Sequence, residues 1–464
     1  MPTLPSPLIN VVFTVFGSHS LVVVKSLKYL NKSAALLSDF RLHLRTIWLI
    51  LVNITCKLSF VRPTVAIIGS GVSGLSAAYA MRESHEVTLF ESDSRFGGHS
   101  HTHNVDGLRI DSGFIVHNER TYPNLLRIFK ELNIQTQVTE MTMSIDCKGC
   151  GLQYVGGRGA KGILAKPSKL LDPRFLKMLI DVPRFYKKAR AVLNEDSQLT
   201  WGEFLKENKF NNYFIKHYAI PVVSCVWSSG DGDSLQYPAK HLFEFLNHHG
   251  MLELGNSPVW RTVVGGSNTY VDEVLRLIPN VKSEKVTSVK RFEDRVEVNG
   301  QKFDFAIIAT HANNALEILS DANEEERKNL AAVPYSKNLT ILHKDSSLLP
   351  KPNKARASWN YQMADCKKDS NKVSVSYWMN LLMNLNAKDD YVVTLNSAIP
   401  AEKTIAEMNY EHPVFTKESL AAAKFLRGAG GSRLAFAGAH LGWGFHEDGA
   451  RSGIEAAKKF GVKW

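Results

Sequence analysis

The chain has 464 residues, 44% of them hydrophobic, and a formal net charge of +11; that length buries a large core and suits two domains. Residues 1–62 hold seven Lys/Arg against the single acid Asp39, so +6 of the charge sits there and no dense basic stripe with interleaved aromatics remains elsewhere, which excludes nucleic acid as a partner. Five scattered cysteines exclude a secreted disulfide framework, and the absence of G-x-S-x-G, H-E-x-x-H and a Walker loop removes three common hydrolase classes.

Residues 1–62 read as a leader outside the fold that follows. LINVVFTVFGSHSLVVV (8–24) is apolar but interrupted, and TIWLILVNITC (46–56) is too short to span a bilayer comfortably. Lys25, Lys28, Lys32, Arg41 and Arg45 lie between them, the acid-poor composition of an organellar transit segment, mitochondrial or plastid. A membrane anchor and a misplaced gene start are the other readings.

Residues 65–98, VAIIGSGVSGLSAAYAMRESHEVTLFESDSRFGG, organise the rest. VAIIG is the continuous apolar run of a strand buried on both faces of a parallel sheet. Gly69, Gly71 and Gly74 follow in G-x-G-x-x-G spacing, with Ser70, Val72 and Ser73 between them, and LSAAYAM continues as a helix. Gly69 makes the tight turn, Gly71 lets backbone N–H groups approach a pyrophosphate, and Gly74 lets the helix sit close on the strand. A second strand, EVTLFE, ends at Glu91, where a carboxylate can accept hydrogen bonds from an adenosine ribose. Ser92, Arg95, Gly97 and Gly98 come directly after that acid, and an NAD domain does not need them. E-x-x-x-R-x-G-G resembles the second FAD fingerprint of the flavin amine oxidase, phytoene desaturase and protoporphyrinogen oxidase superfamily. The resemblance implies FAD as cofactor, with Arg95, Gly97 and Gly98 closing over its pyrophosphate and ribityl chain.

His99, His101 and His103 alternate, as ligands on one face of a strand would, but no carboxylate or cysteine with ligand spacing accompanies them. A polar strand edge lining the flavin is the preferred reading. The hairpin NVDGLRIDSG turns at Asp106–Gly107 and delivers Asp111, Ser112 and Gly113 close to the cofactor. Cys147 and Cys150 form a C-x-x-C, yet Cys225 and Cys366 are lone and supply no second pair; the cysteines read as coincidental and no metal is expected.

From about 116 to 264 the pattern turns helical. In 173–193, Phe175, Leu179, Val182, Phe185, Tyr186 and Ala189 fall near helical spacing, and Pro183 is expected to break or kink the helix. Lys177, Arg184, Lys187, Lys188 and Arg190 form its basic face, read first as solvated and, more sharply, as a contact with a membrane surface. TWGEFL, HYAIPVVSCVWSS and YPAKHLFEFLNHHGML are aromatic-rich and read as walls of an apolar substrate cavity, with plain core the commoner role for any one of these residues.

KVTSVKRFEDRVEVNGQKFDFAIIAT (285–310) is a meander with an Asn299–Gly300 turn, ending in another buried strand. By the superfamily resemblance, the backbone at Val286 meets the adenine and His311 lies near the cofactor. Strands are expected in NLTILHKD, VSVSYWMN and YVVTLNSA. Lys337 is a catalytic candidate because a lysine near the flavin recurs among amine oxidases, and a surface or loop lysine is the plainer reading. LAFAG at 434–438 then leads through Gly438 to a last helix. The superfamily places an acid after this glycine, where the chain has Ala439, so Glu447 or Asp448 is expected to contact the ribityl chain instead. Trp443, Phe445 and His446 occupy the slot of aromatics against the flavin, and His446 is the second catalytic candidate.

The whole of 63–464 resembles the FAD-dependent oxidoreductases encoded beside cyclopropane fatty acid synthases; RFGGHSHT, DSGFIVHNERTYPNL, PVVSCVWSS and GWGFHEDG carry the likeness. The fold class is α/β, a doubly wound FAD-binding domain of the glutathione-reductase type with a second α+β substrate domain. The FAD domain takes 63–115, 265–315 and 425–464, and the substrate domain 116–264 and 316–424. The function implied is hydride transfer from an apolar substrate, first of all a fatty acyl lipid, to flavin N5. A carotenoid or polyprenyl desaturase or isomerase, an amine oxidase, and a non-catalytic flavoprotein partner of a lipid methyltransferase are the rivals.

Overall fold

The computed structural model describes residues 62–464 apart from residues 229, 254, 256 and 368–373. The leader reading therefore falls, but for Arg62, outside the described residues. Among the described residues no helix is long and apolar enough to cross a membrane.

The dinucleotide signature folds as its spacing dictates: β1 (Thr64–Ile68), α1 (Val72–Met81) and β2 (Glu86–Glu91). Both strands bury their middle residues, as strands covered on two faces must. Then come α2 (Pro123–Glu131), the hairpin pair β3 (Met143–Cys147) and β4 (Leu152–Gly156), and the long α3 (Pro173–Val192). Pro183 sits inside α3 without breaking it. Phe175 and Met178 before the proline, and Phe185 and Ala189 after it, are buried in one core, and this packing outweighs the lost backbone bond. A π-helical turn (Ile215–Ala219) leads into α4 (Ile220–Trp227), and α5 (Ala239–His248) follows.

The later chain gives β5 (Asn280–Ser283), β6 (Phe305–Ile308), β7 (Tyr335–His343), β8 (Trp359–Met363), β9 (Val375–Trp378), β10 (Val392–Leu395), β11 (Thr404–Pro413), β12 (Leu434–Phe436) and α6 (His446–Lys459). Two sheets collect these strands. The first is five-stranded and parallel, ordered β5-β2-β1-β6-β12, with Ile67 level with both Leu89 and Ile307. The second is seven-stranded and mixed, ordered β11-β7-β10-β9-β8-β3-β4. The two expected turns, Asp106–Gly107 and Asn299–Gly300, hold both residues at positive φ, the signature of a tight hairpin.

α1 and α6 cross face to face on the parallel sheet. Gly453 makes this approach feasible, since a Cβ there would collide with the Ser73 carbonyl on α1. Gly74 does the same between α1 and the turn at Gly69. The two helices thus press together just behind the glycine loop, which fixes the loop's position over the carboxyl ends of β1 and β2.

Candidate functional site

A cavity of about 1350 Å³ begins at that loop and extends into the second sheet. Gly69, Ser70, Gly71, Val72 and Ser73 line its first part with Glu91, Ser92 and Gly98. Gly69 takes φ +101°, and a Cβ there would sit 2.8 Å from the Ala309 carbonyl oxygen. At Gly71 a Cβ would project into open space, so its absence leaves a hollow against the backbone. α1 has no capping side chain and no acid in its first turn. Its leading N–H groups are thus left for an anion from outside the helix. Glu91 is held in place by the Ser70 N–H (2.9 Å) and hydroxyl (2.6 Å), and by the Asp93 N–H (3.0 Å). A hollow at the glycine, an uncapped helix start and a fixed carboxylate at the end of the adjacent strand fit the pyrophosphate and ribose of FAD.

Further round, Ser112, Gly113, Val286, Gly438 and His446 also line the cavity. Several other expected residues stand behind its wall. Arg95 does not reach the cavity; its guanidinium donates to the carbonyls of Phe96 (3.2 Å), Gly98 (2.7 Å) and Ser100 (3.2 Å). It braces the loop that presses Gly98 on Gly71, and Gly97 serves the same loop through its N–H to the Ser70 hydroxyl at 3.0 Å. Asp111 is fully buried and accepts from the Ser267 N–H and hydroxyl, each at 2.9 Å, so it pins the Gly265–Gly266 turn rather than the cofactor. Burial pushes its carboxyl up to about 6.

The two acids expected to replace the missing superfamily carboxylate are also engaged elsewhere. Glu447 accepts from the Asn124 and Leu125 N–H groups, both at 3.0 Å, and so caps the start of α2. Asp448 turns back to the Phe445 N–H at 3.1 Å and to Arg451. Both lie in the first turn of α6, where exposed N–H groups of two helices compete for carboxylates.

Lys337 is not brought to the site. Its side chain is 82% exposed and pairs with Glu411 at 3.5 Å, because strand alternation on β7 turns it outward while Asn338 is buried. His446 is. It is half-buried on the cavity wall, stacked on Phe114 at 3.8 Å, with Nε2 3.1 Å from the Ser100 hydroxyl, which in turn meets the Tyr270 hydroxyl at 2.7 Å. Burial drives its pKa down to about 3.

Five more cavity histidines share that state: His99, His249, His311, His412 and His440. Burial lowers each of them, to about 4 at His412 and about 3 at His440. Of the alternating trio, His99 alone lines the cavity; His101 binds the Tyr410 hydroxyl at 3.0 Å and His103 the Ser112 hydroxyl at 2.9 Å. His412 and Tyr410 were not singled out from the sequence. Their signal was the period-2 alternation of β11, which faces Met408, Tyr410 and His412 one way. His440 was signalled only by its place in the glycine turn after β12.

The far part of the cavity is apolar and aromatic. Tyr154, Tyr218, Val222, Trp227, Phe245, Trp359, Tyr377 and Phe445 line it. Trp227 donates its indole N–H to the Trp443 carbonyl at 2.9 Å, which ties α4 to the turn before α6. Among the described residues, the acids that reach the cavity, Glu91, Glu253, Glu284, Glu317 and Glu411, are all partly or fully exposed.

Comparison with known proteins agrees with this geometry. The model of the family described as flavin containing amine oxidoreductase matches residues 72–341. The chain is 33% identical over 117 residues to amine oxidase (flavin-containing) A of Sus scrofa, a stretch covering 23% of this chain and 20% of that protein. It spans only 12% to 20% of the length of the curated relatives it matches. The solved cyclohexylamine oxidase from Brevibacterium oxydans IH-35A superposes with a TM-score of 0.63 at 15% identity, covering 86% of this chain and 98% of that one. The CLA-producing fatty acid isomerase from P. acnes superposes with a TM-score of 0.64 at 16% identity, covering 86% and 99%. At such identities the two structures share the fold.

Proposed function

The chain belongs to the flavin-containing amine oxidoreductase family and is an FAD-dependent oxidoreductase, and from that premise we propose that its substrate is the acyl chain of a lipid. The observation that carries this reading is the division of labour on α3. Met178, Leu179, Val182 and Phe185 line the cavity. On the same helix Leu176 and Ile180 are 42% and 69% exposed, and Leu171 just before it is 88% exposed. Lys177, Lys187 and Lys188 flank them in solvent. Exposed apolar side chains ringed by lysines suit the headgroup region of an anionic membrane, so one helix would face both a lipid surface and the cavity wall.

The inner wall supports the same substrate. A protonated amine entering an apolar cavity needs a buried counter-charge, and the cavity's acids are partly or fully exposed. An alkyl chain needs only the aromatic wall. Bound FAD supplies the hydride acceptor. The protein's part is to exclude water with Trp227, Phe245 and Phe445, to orient the chain along α4, and to hold a proton acceptor at His446. Ser100 and Tyr270 fix that imidazole's orientation. The fatty acid isomerase that shares the fold adds a second, redox-neutral reading, movement of a double bond.

Anaerobic titration separates these. Phospholipid vesicles carrying unsaturated acyl chains should bleach the flavin band, whereas primary amines and polyamines should leave it. Bleaching by an amine alone would overturn the lipid reading. A lipid whose double bond moves without lasting bleaching would favour the isomerase. No change with either would favour a flavin-binding partner of a lipid methyltransferase.

A further inference from the structure

Away from the cavity, four ligand-type side chains converge from three stretches of chain. Cys147 ends β3, Cys150 lies in the turn to β4, Cys366 follows β8, and His217 sits in the π-helical turn before α4. Their sulfur and nitrogen atoms all lie within 4.8 Å of one another, and none of the four lines the cavity. We propose that Cys147, Cys150, Cys366 and His217 form a closed, structural Zn²⁺ site.

The geometry around them is that of a prepared metal site. A tetrahedral zinc, with bonds of about 2.3 Å to sulfur and about 2.0 Å to nitrogen, sets ligand–ligand edges of roughly 3.4–3.8 Å. The Cys150 sulfur and His217 Nε2 are 3.3 Å apart. His217 Nδ1 bonds the Tyr213 carbonyl at 2.9 Å, which leaves Nε2 directed at the thiols. A backbone carbonyl on the second ring nitrogen is the usual support of a metal-bound imidazole. His217 and Cys147 are buried, and the π-helical turn that carries His217 is an insertion of the kind found at functional sites.

The C-x-x-C turn is built as a knuckle. Gly151 donates to the Cys147 carbonyl at 2.8 Å and takes φ +70°. Lacking a side chain, Gly149 lets the Cys366 loop approach, since a Cβ there would sit 2.9 Å from the Asp365 Cα. Lys148 donates its N–H to the Met363 carbonyl at 2.8 Å and so joins the turn to the end of β8.

Ligand chemistry selects the metal. Three thiolates and an imidazole suit zinc, and four protein ligands leave no open position for catalysis. An iron–sulfur cube would put each ligand on a separate iron and farther apart. Zinc with three thiolates carries one net negative charge, and the ammonium groups of Lys166 and Lys169 stand at the Gly151 and Cys150 carbonyls, at 2.8 and 2.7 Å. The site would clamp the β3–β4 turn and the end of β8 to the segment that feeds α4, whose Tyr218, Val222 and Trp227 form cavity wall.

The test is metal analysis of the full-length flavoprotein, purified without a histidine tag and washed with a weak chelator. The expected result is one zinc per chain, released stoichiometrically when a mercurial blocks the thiols. Cys366→Ser should lose at least nine-tenths of the metal, while His217→Cys, which restores four soft ligands, should keep it. Cobalt substituted in the wild type should show the visible bands of a tetrahedral thiolate site, a readout that holds even if a variant fails to fold. Wild-type protein that contains no zinc, takes up neither zinc nor cobalt and titrates free thiols, or that shows a Cys147–Cys150 disulfide, would overturn the assignment.

Discussion

Burial, rather than charged partners, sets the state of the histidines around the cavity. At His446 desolvation acts alone, and at His412 and His440 it is the larger cause, with the nearby His311 lowering them further. A histidine whose folded pKa is pushed down stays neutral from that value upward and takes a proton only below it. His446, lowered to about 3, is therefore an uncharged base at every pH from acid to alkaline assay conditions. His446→Ala should retain yellow flavin while anaerobic flavin reduction slows about a hundredfold, the low end of general-base effects. Lys337→Ala should match the wild type, since its ammonium group is in solvent. The wild-type reduction rate should show no inflection near pH 6.5. Equal losses in both variants, or a step at the ordinary histidine value, would contradict the assignment.

At the scale of elements, the crossing of α1 and α6 carries the cofactor loop. Gly453→Val would drive side-chain carbons into the Ser73 carbonyl, and Gly449 one turn earlier is already tight against the Val72 and Ser73 side chains. Overpacking of this kind costs about 1–3 kcal/mol, and the shift is transmitted to the first turn of α1. Thermal unfolding should show that loss together with poorer flavin retention on gel filtration; full stability with full flavin would refute the coupling. The β1–α1–β2 unit was legible in sequence because each of its needs falls on neighbouring residues: a buried run, glycines at fixed offsets, and an acid at a strand end. The partners of Glu447 and Asp448, the start of α2 and the turn before α6, were not legible, because a residue in a first helical turn can serve its own helix, a neighbouring helix or a ligand, and only packing decides. The same limit hid the zinc ligands. C-x-x-C is visible as a local pattern, but Cys366 and His217 reach it only through the β3–β8 pairing and the π-helical turn.

Over the whole molecule, one cavity joins two kinds of wall. Its first part is backbone, glycine and carboxylate from the parallel sheet; its second is aromatic and aliphatic from α3, α4, α5 and the mixed sheet. Of the aromatic runs read as cavity wall, HYAIPVVSCVWSS and YPAKHLFEFLNHHGML bring Tyr218, Trp227 and Phe245 to it, whereas TWGEFL packs Trp201 and Phe204 into the core; on α3 the basic face was visible in the spacing, and the exposed Leu176 and Ile180 beside it were not. Amphipathic spacing alone does not say which of two apolar stripes meets the cavity and which meets solvent.

The most direct test of this arrangement is the visible spectrum of the purified full-length protein, still oxidised, during titration with a long-chain fatty acid. A yellow protein whose flavin bands shift saturably with the acid, and do not shift with a short amine, is the predicted result, because the acyl chain must enter the same cavity as the flavin. A colourless protein that stays colourless after FAD is added, or a flavin spectrum moved by the amine and untouched by the acid, would contradict it.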